Sequence, residues 1–346
     1  MKKIVIYSHR VDNDGYASAA IMNMFFPEYL KRFGIMECEI TNIPWTYGDK
    51  EPIFEDFEGY DYVIVVDLHF DNKLTFKLKN YFGDNFIWFD HHAQCIQEYE
   101  DFCNEIGVDP YVVGIQSKMT YPNNKICYSA AELCWYWLFG REENDRCNNE
   151  KLKSLIPYRK IPKVIELISD FDVWNKESNN SWDEEIYPFQ MGSRTYIKSY
   201  MDMMNLLYHE LYNENVTAQE NSSVNRYINE GKIIINYENT ECLKDIRSGA
   251  FTETFVWNDR EYKACVLNTT KRSSNVFVNM PDRDDYDVFI CYNIIKRQDW
   301  SQYRYSMYAF KDDVKCAGMI INGIKFNGHD HACGAQSKYF IFDNEY

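Results

Sequence analysis

The sequence predicts an α/β protein: an N-terminal parallel-sheet domain, a helical linker, and a smaller C-terminal α+β domain. Three observations predict it. Strand-like and helix-like runs alternate over the first ninety residues, the pattern of a parallel sheet covered by helices. Each of the three apolar runs ends on Asp or His. From Phe251 onward the chain changes to short β-rich runs.

Lys3–Tyr7 reads as the first strand and runs into Ser8-His9-Arg-Val-Asp12-Asn-Asp14-Gly15. Tyr16–Phe26, rich in Ala and Met, reads as a helix. Tyr62–Val66 is the second strand and ends on Asp67-Leu-His69. Asp71–Phe82 places Leu74, Leu78 and Tyr81 at helical spacing. Phe86–Phe89 is the third strand, ending on Asp90-His91-His92. Residues 101–124 read as irregular, Ser129–Leu138 as an apolar helix, and 141–153 as a polar insert. Pro162–Ile168 is a helix with proline in its first turn, running into Asp170-Phe-Asp172-Val-Trp174. Helical patterning returns at Tyr200–Leu211 and at Ser222–Ser248. Strands follow at Lys263–Leu267, Val288–Ile294, Tyr303–Phe310 and Tyr339–Phe342. The boundaries expected are 1–200, 201–249 for the linker, and 250–346.

Composition narrows the chemistry. The 346 residues are 45% hydrophobic, enough for substantial cores, and carry a formal net charge of −16. A grip on long duplex nucleic acid calls for a basic face, and no basic run is present. Small phosphorylated substrates remain open, because bound divalent cations can supply positive charge. No apolar run approaches the roughly 20 residues that span a bilayer. The first eight residues read as a strand rather than a signal peptide. The eleven cysteines contain no Cys-x-x-Cys pair, so free thiols in a reducing cytoplasm are expected.

Strand ends in open α/β sheets are where ligands collect. Six of the seven histidines (His9, His69, His91, His92, His329 and His331) fall in or beside these motifs. Taken singly, such motifs are more often a solvated turn, a helix cap or an ordinary loop pair. Taken together, carboxylates and imidazoles without a thiolate pair favour manganese over structural zinc. The acids suffice for two ions sharing a carboxylate.

The motifs together resemble the DHH phosphoesterases with a C-terminal DHHA1-type domain, a family that includes nanoRNase-like oligoribonucleases and RecJ-type exonucleases. The resemblance rests on His9-Arg-Val-Asp12-Asn-Asp14-Gly15, Val-Val-Asp67, Asp90-His91-His92, Asp170-Phe-Asp172-Val-Trp174 and Asn327-Gly328-His329-Asp-His331-Ala-Cys-Gly334. It implies two manganese ions, with magnesium or cobalt as substitutes. His9, Asp12 and Asp67 would hold one; Asp14, Asp67, His91 and Asp170 would hold the other. Asp90 would orient His91, and His92 would contact the scissile phosphate. Gly328, His329 and His331 would hold the rest of the substrate. Tyr308 stands where many relatives have a phosphate-binding arginine, with Arg304, Arg272 or Lys338 as stand-ins.

The implied activity is manganese-dependent hydrolysis of short oligonucleotides to 5′-mononucleotides. The rivals are a cyclic-dinucleotide phosphodiesterase, a 3′-phosphoadenosine phosphate phosphatase and, in another class, an inactive nucleotide-binding protein. A small nucleotide substrate is the partner expected, with no membrane and a homodimer left open. Trp300, Tyr303 and Tyr305 offer rings for base stacking, although alternating aromatics on a strand also read as core.

Overall fold

Ile4, Val5, Ile6 and Tyr7 are all buried, so the first strand β1 (Lys2–His9) has both faces covered. Only the centre of a helix-flanked sheet asks that of a strand. In the computed structural model β1 lies within a five-stranded all-parallel sheet of order β2-β1-β3-β4-β5. The other strands are β2 (Cys38–Trp45), β3 (Tyr62–Val66), β4 (Phe86–Asp90) and β5 (Val113–Gln116). The structure describes residues 1–117, 128–140, 159–212, 222–271, 274–296 and 301–343. Arg272, Trp300 and the insert at 141–153 lie outside the described residues. The chain divides into two compact units, Met1–Ile234 and Ile235–Tyr346.

The two-residue period of the strands builds two cores in the first unit. On one sheet face Ile4, Ile6, Ile64, Val66, Ile87 and Phe89 pack under α1 (Asn13–Lys31), α4 (Ala130–Phe139), α5 (Lys163–Asp172), α6 (Tyr187–Tyr196), α7 (Tyr200–Tyr212) and the start of α8 (Ser223–Gly249). On the other face Val5, Tyr7, Val63, Val65, Phe86 and Trp88 pack under α2 (Asn72–Phe82) and α3 (Ala93–Glu105). The chain leaves β1 to form β2 on one side and returns to form β3 on the other. The topological switch point therefore falls between the ends of β1 and β3.

Several expectations are corrected. Strand β2 is an unforeseen edge strand; its alternating polar residues and Pro44 suit the edge of a sheet and hide it from an apolar-run criterion. Helix α1 continues past Phe26 through Pro27, because Phe25, Phe26 and Leu30 keep one buried face despite the lost hydrogen bond. The stretch expected to be irregular includes the end of α3 and β5. In β5, Gly114 has φ 109°, and a Cβ there would sit 2.2 Å from the Trp88 carbonyl oxygen. The expected linker is divided instead: Met203, Leu206, Leu207, Val224, Tyr227 and Ile228 belong to the first unit's core. Gly192 of α6 and Gly231 of α8 let these two helices touch backbone to backbone. A Cβ on either would fall within 2 Å of a carbonyl oxygen of the facing helix, 1.9 Å from Tyr227 and 1.8 Å from Pro188 respectively.

The second unit is a six-stranded mixed sheet of order β12-β13-β9-β8-β7-β6. Its strands are β6 (Phe251–Trp257), β7 (Arg260–Asn268), β8 (Val288–Lys296), β9 (Ser301–Tyr308), β12 (Asn327–His329) and β13 (Ala332–Ser337), with the small hairpin β10 (Ile320–Ile321) and β11 (Ile324–Lys325) apart. One face packs against Val314, Met319, Phe326 and Ile341. The other packs against Cys242 and Ile246 of α8 and the short helix α9 (Asn275–Val278). Tyr339–Phe342 is a bend followed by a turn rather than a strand: the Tyr305 hydroxyl donates to the Tyr339 carbonyl and accepts from the Ile341 amide. The described cysteines are all free thiols.

Candidate metal centre

The ends of β1, β3 and β4 converge at the switch point. His9 ends β1, and Gly15 lets α1 begin hard against it: a Cβ at 15 would lie 2.1 Å from the His9 carbonyl oxygen. Asp12 caps α1 by accepting from the Gly15 amide. Asp14 points inward, and its carboxylate accepts from the Ala130 and Ala131 amides at 2.8 and 2.9 Å, the first turn of α4. Those two amides fix the direction of the carboxylate. Asp67 follows β3 in a left-handed conformation, φ 58°, its amide donating to the Phe89 carbonyl of β4.

Around Asp67 the groups fall into three clusters: His9 with Asp12 and Asp67; Asp14 with His91 and Asp172; Asp67 with His91 and His92. His9 Nδ1 lies 2.9 Å from Asp12 Oδ2 and 3.5 Å from Asp67 Oδ2. His91 Nε2 lies 3.4 Å from Asp67 Oδ1, 3.7 Å from Asp14 Oδ2 and 3.1 Å from Asp172 Oδ2. Asp67 thus turns one oxygen to each imidazole. His9 Nδ1 is buried, and neither carboxylate meets it in good hydrogen-bond geometry.

Electrostatics show a site short of positive charge. Burial and then the neighbouring Asp14 carboxylate push Asp67 well above the usual carboxylate range. Asp172 is raised for the same two reasons. Burial opposes the charged form of His9, yet Asp12 and Asp67 overcome it and push the imidazole up to about 10. Among the described residues, the ion pairs of Asp12, Asp14, Asp67 and Asp172 run to His9 and His91, with no Lys or Arg. Gathered buried acids with imidazole and no basic partner suit a divalent cation.

Two expectations change here. Asp172, rather than Asp170, faces His91. Asp170 instead binds its own loop, accepting from the side-chain amides of Asn175 and Asn180 at 2.7 and 2.9 Å and from the Ser178 hydroxyl. Helical periodicity holds the signal: Asp172 lies four and seven residues after the buried Ile168 and Ile165, whereas Asp170 lies four after the half-buried Glu166. Asp90 orients His92 rather than His91. Its Oδ1 accepts from both backbone amides and, at 2.7 Å, lies against His92 Nδ1, while His91 Nδ1 is buried without a partner. His69 stays outside these groups; its Nδ1 pairs with the Tyr47 hydroxyl at 2.9 Å.

In the second unit, Gly328 in β12 has φ 145° and a Cβ there would lie 2.8 Å from the Ala332 carbonyl oxygen, so the hairpin requires glycine. His329 and His331 are exposed on this hairpin. Arg304 of β9 stands in register between Asn293 and Gln336. Its Nε and the Asn293 Oδ1 are both buried without a hydrogen-bond partner. Tyr308 packs into the core beside Phe289, and Lys338 is exposed.

No family model matches the chain, and no curated protein matches it. Among solved structures, a pGpG-specific phosphodiesterase, PggH from Vibrio cholerae, is 13% identical, covering 97% of this chain and 93% of that one, with a TM-score of 0.42. Exonuclease RecJ bound to manganese is 12% identical, covering 96% and 85%, with a TM-score of 0.39. An exopolyphosphatase-related protein from Bacteroides fragilis is 14% identical, covering 96% and 86%, with a TM-score of 0.34. Likenesses at these scores say nothing of this chain's substrate. No described helix is long and apolar enough to cross a membrane.

Proposed function

We propose that this chain is a manganese-dependent phosphodiesterase that hydrolyses short oligonucleotides to 5′-mononucleotides. The observation supporting it most strongly is Asp67, buried at the switch point with one oxygen toward His9 and the other toward His91. His9, Asp12 and Asp67 would hold one cation, and Asp14, His91 and Asp172 a second, with Asp67 shared. Bound there, the cations would make water a stronger acid and offset charge gathering on the phosphoryl oxygens.

The remaining work falls to the protein. The first-turn amides of α4 hold the Asp14 carboxylate aimed inward. Asp90 holds His92 by its Nδ1, leaving Nε2 to meet a phosphate oxygen. On the second unit, taken by itself, exposed His329 and the Arg304 guanidinium offer donors that suit a phosphate. The net charge of −16 favours short substrates over long ones.

The test uses metal-stripped protein with manganese restored, offered pApA, a 20-nucleotide RNA, cyclic di-AMP, 3′-phosphoadenosine phosphate and polyphosphate in parallel. Rapid cleavage of pApA with poor cleavage of the long RNA supports the reading. Preference for the cyclic or 3′-phosphate compound keeps the centre and changes the substrate. Silence on all five with metal bound rejects hydrolysis and favours a binding protein.

A further inference from the structure

Two residues beyond Asp172 the chain does something costly. Among the described residues five non-glycine residues have positive φ. Three are Asn258, Asp259 and Asn322 in hairpin turns, where that conformation is ordinary. Asp67 is the fourth and belongs to the metal centre. The fifth is Trp174, φ 54°, a bulky aromatic for which the left-handed region is a genuine outlier. Something must hold it there.

Asp170 supplies the hold: its bonds to Asn175, Ser178 and Asn180, and its carbonyl's bond from the Asn175 amide, close the loop around Trp174. The loop presents the indole rather than burying it. Trp174 is 56% exposed. It lies nearly parallel to Trp182, with centroids 5.3 Å apart and planes 24° apart, and to Phe171 at 6.2 Å and 28°. Phe171 and Trp182 are themselves 5.7 Å and 11° apart. The three rings form one near-parallel aromatic cluster. Lys176 Nζ stands 5.6 Å from the Trp174 centroid and 5.2 Å from that of Trp182, on a flexible exposed stem. The Arg194 guanidinium is 5.8 Å from the Phe171 ring.

We propose that Trp174, backed by Trp182 and Phe171, is a stacking platform for a nucleobase of the substrate. An exposed π-surface with a lysine ammonium over it matches a base joined to a phosphate. The separation fits as well. Trp174 Cα can lie no more than about 7 Å from Asp172 Cα, because two residues span no more than that. The indole is thus carried by the segment that directly follows a residue of the metal centre. Lys176, whose ammonium stands over the Trp174 and Trp182 rings at cation–π distance, is placed to swing aside toward the phosphate as a base takes its place. Strain, presentation and charge then share one purpose, and Asp170 becomes a positioning residue that acts through Trp174. The inference deepens the hydrolase reading and rests on it only for where the phosphate binds.

Calorimetric titration of the manganese-loaded protein with AMP and with ribose 5-phosphate isolates the base. Stacking on an aromatic side chain implies that AMP binds about ten-fold or more tightly than ribose 5-phosphate. Trp174→Ala should bring the two ligands to within about two-fold of one another, and Trp174→Phe should restore most of the preference. Equal binding of the two ligands by the unaltered protein overturns the platform, as does a preference that survives Trp174→Ala. An inactive protein that shows the preference and loses it in Trp174→Ala upholds the platform and rejects only hydrolysis. An active protein without the preference does the reverse.

Discussion

Asp172 Oδ2 lies 3.1 Å from His91 Nε2, while Asp170, two residues earlier on the same helix, turns away to tie down the loop that follows. Two residues are about 200° of helix, so one of the pair faces the cluster and the other cannot. Asp172→Asn should therefore reduce turnover at least a hundred-fold and weaken manganese binding. Asp170→Asn should retain manganese and show its defect as a raised KM. Steady-state kinetics with metal analysis separates them, and the opposite pattern would return Asp170 to the centre.

Asp90 is fully buried, and one of its oxygens serves three nitrogens of His91 and His92. Replacing it with Asn keeps the shape and removes the charge that fixes the His92 ring. The expected loss is about 10- to 100-fold in kcat with manganese still bound. A kcat within two-fold of the unaltered protein would mean His92 needs no such orientation.

Arg304 Nε and Asn293 Oδ1 are neighbours across β9 and β8, both buried and both without a partner in the structure described. Buried polar atoms are normally satisfied, and a bound phosphate would satisfy the guanidinium. Arg304→Ala should weaken binding of inorganic phosphate to this face about ten-fold by calorimetry, and His329→Ala should act in the same direction. Unchanged phosphate affinity in both would remove this face as a phosphate site.

The contact of Gly192 with Gly231 is backbone on backbone, with no flexible side chain to give way. Gly192→Ala or Gly231→Ala should lower unfolding free energy by at least about 2 kcal/mol, since overpacking at a closed contact forces the helices apart. Urea unfolding measures it. A change under about 0.5 kcal/mol would show that α6 and α8 separate freely.

Much of this was legible in the sequence because the informative residues sit where local rules are strong. The strands ending on His9, Asp67 and Asp90-His91 are short apolar runs, and a parallel sheet buries such runs on both faces. Edge elements were less legible. Pro44 and the polar positions of β2, and the four-residue β5 with its glycine, carry too little apolar signal to read as strands. The choice between Asp170 and Asp172 depended on helical phase, and extending α5 by one turn in the sequence reading would have made it. Trp174 closes the Asp170-Phe-Asp172-Val-Trp174 motif, but its left-handed backbone and exposure arise from the Asp170 network and have no signature in residue order.

Manganese titrated into metal-stripped protein, with bound metal counted per chain, tests the central claim most directly. The arrangement around Asp67 predicts two ions per chain in the unaltered protein. It predicts one or none in Asp67→Ala, and two again in His329→Ala, which leaves the first unit untouched. Failure of the unaltered protein to bind manganese, or two ions retained in Asp67→Ala, would contradict the assignment of Asp67 as the shared ligand.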